Sequence, residues 1–103
     1  MAACVTHLTQ APSVDADRIA LWGASLGGVY AARAASKEHR LAAVISDGVI
    51  HDLPAALTVR QADPTADWTL LQAVFGALSP TDVIESTRGL ALAPHLPHIR
   101  CLY

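Results

Sequence analysis

Residues 18–28 read RIALWGASLGG, and the fold follows from them. Arg18 to Trp22 is a short apolar run closed by glycine, the pattern of a buried strand. The segment from Val29 to Lys37 is built from small residues and good helix formers, which predicts a helix. Leu41 to Ser46 (LAAVIS) is a second apolar run, ended by Asp47-Gly48. Strand, sharp turn, helix and strand within about thirty residues make a βαβ unit. Its strands are expected to be parallel with a right-handed crossover. The fold class is therefore α/β.

Gly23-Ala24-Ser25-Leu26-Gly27 is a GxSxG placed between the predicted strand and the predicted helix. That context, more than the pentapeptide, marks a nucleophile elbow. A serine at the tip of such a turn takes a strained backbone conformation, so its neighbours must be small. Gly23 and Gly27 are expected to remove side chains that would collide as strand and helix approach. Gly28 lets the helix sit close, and Ala31, Ala32, Ala34 and Ala35 keep that packing tight. The Ser25 hydroxyl then stands at the positive end of the helix, and the Leu26 N–H points where a tetrahedral oxyanion would form. The competing reading is a structural Gly-Ser turn, or a phosphate-binding one. No GxGxxG is present, and no Gly-Lys-Ser/Thr follows.

Residues 14–28 (VDADRIALWGASLGG) resemble the elbow region of the α/β-hydrolase fold. The resemblance is to the branch holding prolyl-oligopeptidase-like hydrolases and their ester- and carbon–carbon-cleaving relatives. Residues 41–48 (LAAVISDG) resemble the strand that follows the elbow, and residues 96–102 (LPHIRCL) the lead-in to the next. The resemblance implies Ser25 as nucleophile and the Leu26 amide as one oxyanion donor. It implies that the triad acid and histidine follow on later strands, and that a second oxyanion donor precedes the elbow. It also implies no metal and no organic cofactor. Residues 51–95 would stand where the family inserts cap or lid helices, so 1–103 is expected to be a partial α/β-hydrolase domain.

No Ser-His-Asp set within the chain convinces. Asp47 closes the second strand on its carboxyl-terminal edge, which makes it a weak candidate acid; Asp-Gly is more commonly a turn. His51 and Asp52 share the following loop. His95 and His98 flank prolines and read as loop histidines, with no further ligands for a metal. His7 and His39 fall where helix surfaces are expected. Trp22 reads as core or pocket wall. Arg33, Lys37, Glu38 and Arg40 read as a solvated helix end.

Outside the βαβ unit, Ala2 to Gln10 and Leu53 to Gln61 predict short helices. Asp63-Pro64 and Ser79-Pro80 carry helix-start signals. Trp68, Leu71, Phe75 and Leu78 fall on one helical face, and residues 98–103 begin a third strand. The 103 residues suffice for one small domain. They are 52% hydrophobic and 16% charged, which argues against disorder. A net charge of −2 leaves no basic excess for nucleic acid or an anionic membrane. Cys4 and Cys101 read as free thiols of a cytoplasmic protein.

Together these features predict a serine hydrolase acting through an acyl-enzyme on an ester, amide or activated carbon–carbon bond. Its substrate would be a small-molecule or peptide carbonyl compound. The chain alone is expected to be inactive and to associate through exposed apolar surface. The alternative is a non-catalytic α/β interaction module.

Overall fold

A computed structural model describes residues 1–103 as two compact units, Met1–Ile50 with Leu92–Tyr103, and His51–Ala91. In the first unit, helix α1 (Ala2–Thr9) leads through a 3₁₀ turn, Ala16–Arg18, into strand β1 (Ala20–Ala24). The Asp15 carboxylate accepts the Asp17 N–H and starts that turn. Helix α2 (Leu26–Ala35) and strand β2 (Ala43–Asp47) follow. The two strands are parallel, in register from Ala20 opposite Ala43 to Ala24 opposite Asp47. The βαβ unit read from the sequence is thus present, with each boundary moved by a few residues. The third strand is present only as a start. Val44 N–H donates to the Leu102 carbonyl at 2.8 Å, and Leu102 pairs with Ala43 in parallel.

Alternation along the strands decides what is covered. Leu21 and Val44 face the core with Val5 of α1 and Ala31 and Ala35 of α2. Val14, Ile19, Leu41, Ile99 and Cys101 complete that cluster. Neighbours in register on the opposite face, Trp22 and Ile45, are 68% and 53% exposed. Of the two readings of Trp22, core or pocket wall, the first is corrected: alternation puts Trp22 on the face of β1 opposite Leu21, and within this unit only the Leu21 face carries helices. Cys4 and Cys101 are free thiols.

The end of α2 also differs from the solvated surface expected. Glu38 is buried and bonded to Arg40, whose Nε reaches Oε1 at 2.7 Å and whose Nη2 reaches Oε2 at 2.6 Å. The same guanidinium donates to Thr6 Oγ1 at 3.0 Å and to the Ala2 carbonyl at 3.1 Å. One arginine therefore ties α1 to the α2–β2 connection. Its hydrogen bonds hold the Glu38 carboxyl down at about 2, well below the usual range.

The second unit comprises α3 (Leu53–Gln61), α4 (Thr69–Phe75) and α5 (Pro80–Thr87), with α5 packed against both others. Asp52 caps α3 by accepting the Ala55 N–H at 3.0 Å, with Pro54 in the first turn. Ser79 caps α5 by accepting the Asp82 N–H at 3.1 Å, with Pro80 next. Leu57, Trp68, Val83 and Thr87 are buried, and the Arg60 guanidinium lies 5.8 Å from the Trp68 ring centroid. Two expectations fail here. Asp63-Pro64 starts no helix: the Asp63 carboxylate takes the Thr65 N–H and hydroxyl at 2.8 and 2.7 Å, and the chain stays in a turn and loop until α4. Leu78 leaves the helical stripe and is 93% exposed, because Gly76 adopts φ +62 and ends α4 before it.

Candidate active site at the strand–helix elbow

Ser25 joins β1 to α2 and is the one non-glycine residue with positive φ, at φ 52 and ψ −122. Such a conformation costs an L residue on the order of 1–3 kcal/mol and persists only where surroundings impose it. Those surroundings are visible. The Ser25 N–H donates to the Asp47 carbonyl at 2.8 Å, and the Ser25 carbonyl accepts the Gly28 N–H at 2.9 Å. The hydroxyl is left without a capping bond, on an exposed residue. Leu26 is the first residue of α2, so its N–H has no carbonyl partner within the helix.

The glycines divide by role. A Cβ on Gly23 would lie 2.1 Å from the Gly27 carbonyl oxygen and 2.4 Å from its carbon, so β1 and the first turn of α2 are in backbone contact. A Cβ on Gly28 would lie 3.1 Å from the Gly23 oxygen and 3.3 Å from Val49 Cβ. A Cβ on Gly27 would meet nothing within 4 Å. The expected collision at Gly27 is therefore corrected: its backbone is the obstacle that requires glycine at 23, and its own missing side chain faces open space.

Asp47 stands where the sequence placed it, at the carboxyl end of β2, but its contact with the elbow is through its backbone carbonyl. His39 and His95 are held at the far end of α2. The His39 Nε2 is 3.3 Å from the Ser36 carbonyl, and His95 Nδ1 is 3.4 Å from Ser36 Oγ. Ser36 ends the ten-residue helix that Ser25 begins, and ten residues span about 15 Å. Neither imidazole reaches the Ser25 hydroxyl. Because Ser36 Oγ donates to the Arg33 carbonyl at 2.7 Å, His95 presents Nδ1–H to it as donor. His7, His51 and His98 are exposed, and Asp52 is spent as a helix cap. No group of three or more His, Cys, Asp or Glu side chains is placed to hold a metal ion.

One residue of the site escaped the sequence reading. Ser46 Oγ donates to the Gly28 carbonyl at 3.0 Å, bracing the first turn of α2 from β2. Its only sequence signal is a hydroxyl that ends the apolar run Leu41 to Ile45.

The chain has counterparts among known proteins. A solved structure described as the crystal structure of the 2,6-dihydroxy-pseudo-oxynicotine hydrolase matches with a TM-score of 0.80 and 29% sequence identity. The match covers 97% of this chain and 28% of that one, so the chain spans under a third of the relative's length. No curated protein matches the chain. The sequence profile of the prolyl oligopeptidase family matches residues 1–77. That span holds β1, the elbow, α2 and β2, and the chain belongs to the prolyl oligopeptidase family.

Proposed function

We propose that this chain carries the nucleophile-bearing unit of a serine hydrolase. Ser25 attacks the carbonyl carbon of an ester, an amide or an activated carbon–carbon compound. The carbonyl π electrons move to oxygen, and the Leu26 N–H shares in holding that oxyanion. Collapse of the tetrahedral species expels the leaving group and leaves Ser25 acylated; water then releases the acid and restores the hydroxyl. The proton that Ser25 gives up needs an imidazole oriented by a carboxylate, which the family supplies from later strands. Asp47 remains the weak in-chain candidate for that acid.

The observation that carries the reading is Ser25 itself: a strained, exposed serine at the tip of a strand–helix turn, at the head of a helix. The solved relative is named a hydrolase, and the family is one of peptidases by its description. Both support the reaction class, and neither selects the substrate.

The test is reaction with an alkyl fluorophosphonate, read by mass at Ser25. The 103-residue chain alone should label slowly and turn over no ester, because the general base is missing. A chain continued with a family member's acid- and histidine-bearing strands should label stoichiometrically, and Ser25→Ala should abolish it. Labelling of that continued chain that survives Ser25→Ala would sink the proposal by placing the nucleophile elsewhere, and a folded continued chain that ignores the probe would favour the non-catalytic module.

A further inference from the structure

Three hydrogen bonds form a closed circuit around the elbow. The Ser46 hydroxyl donates to the Gly28 carbonyl at 3.0 Å, the Gly28 N–H to the Ser25 carbonyl at 2.9 Å, and the Ser25 N–H to the Asp47 carbonyl at 2.8 Å. Ser46 and Asp47 are consecutive, so the circuit begins and ends on adjacent residues of β2. We infer that Ser46 is a positioning residue for the Ser25 nucleophile, acting through the Gly28 carbonyl.

The circuit leaves Ser25 little freedom. Its N–H and its carbonyl are both engaged, one directly with β2 and the other through Gly28, whose own position Ser46 fixes. The contact is close as well as polar, since a Cβ on Gly28 would lie 3.4 Å from Ser46 Cα. The helix does not need this bond for satisfaction: Gly28 is the third residue of α2, and its carbonyl accepts an N–H one turn later. The Ser46 bond is thus surplus to the helix ladder and specific to the geometry of the turn. Without it the first turn of α2 is held against β2 by the Ser25–Asp47 backbone bond alone, and the strained φ of Ser25 loses one of its restraints. The direction of the Leu26 N–H goes with it.

The role given to Ser46 rests on Ser25 being the nucleophile, whereas the circuit is a matter of conformation alone, and the experiment separates the two. In the 103-residue chain, NMR reads the one-bond Cα–Hα coupling of Ser25, which positive φ lowers, and the amide shifts of Leu26 and Gly27. Ser46→Ala and the near-isosteric Ser46→Cys should melt as folded chains while Ser25 loses its positive-φ signature. Ser46→Thr, which keeps the hydroxyl, should retain it. A folded Ser46→Ala or Ser46→Cys chain with unchanged Ser25 coupling would overturn the inference. So would failure of both to fold while Ser46→Thr folds, since the hydroxyl would then hold the whole unit. Fluorophosphonate reaction in the continued chain, measured separately, decides the nucleophile reading whatever these couplings show.

Discussion

Ser25 stores strain that its own replacement should release. At φ 52 glycine is at ease where serine is not. Ser25→Gly is therefore expected to stabilise the chain by about 1 kcal/mol, read as a shift in the urea midpoint, while Ser25→Ala gains nothing. A Ser25→Gly chain no more stable than Ser25→Ala would mean that the turn is unstrained. The two outer glycines of the motif should behave in opposite ways. Gly23→Ala places a methyl 2.1 Å from a backbone oxygen that moves only if α2 leaves β1, so a loss of at least about 3 kcal/mol is expected. Gly27→Ala enters open space within a helix and should be neutral or stabilising by up to about 1 kcal/mol. Comparable melts for the two variants would contradict the backbone contact. The motif was legible in the sequence, but this division was not. Both glycines flank the serine at equal remove, and only three-dimensional proximity shows which one faces backbone.

At the scale of elements, the parts legible in the sequence were those set by neighbouring residues. β1, α2 and β2 appear near their expected places because apolar runs and the glycine turn act locally. Ser79-Pro80 began its helix and Asp63-Pro64 did not, though the dipeptides look alike. Asp63 and Asp67 each accept a nearby N–H, at 2.8 and 2.9 Å, and of the two only the second leads into a helix, a difference that the start signal does not carry. Long-range pairs were illegible for the same reason: Arg40 with Thr6, and His95 with Ser36. They now give pH dependence to the packing of α1 and of the 92–98 loop on α2. The Glu38 carboxyl sits at about 2 against an ordinary 4.5, so its contribution is complete above 4.5 and fades as pH falls toward 2. Glu38→Gln should lower stability at neutral pH and flatten the acid limb between those values. Burial, then Arg33, Lys37 and His98, lowers the His95 pKa from 6.5. Its neutral form is the folded one, so stability should be full above 6.5 and decline as pH falls below it. His95→Gln should remove that decline; melts at pH 7.5 and 5.5 would show whether it does.

For the whole molecule, the apolar excess in the composition has a visible address. Parallel sheets are ordinarily covered on both faces, and here Trp22, Ile45 and Leu102 are 68%, 53% and 77% exposed. Trp22 and Ile45 are neighbours in register, and Leu102 pairs with Ala43 on the same side of the sheet. Their exposure was beyond the sequence, because a five-residue apolar run looks the same whether one helical layer or two cover it. Contiguous exposed apolar surface drives association. The isolated chain should therefore grow in apparent mass with concentration, by light scattering, and should bind a hydrophobic dye. Trp22→Ser with Ile45→Thr should suppress both and leave the melt within about 1 kcal/mol of the parent, because exposed side chains contribute little to folding. A large loss of stability would instead show these residues packed against protein. Unchanged association would place the sticky surface elsewhere, among Val59, Leu70, Val74 and Leu78 of the helical unit, which are also exposed.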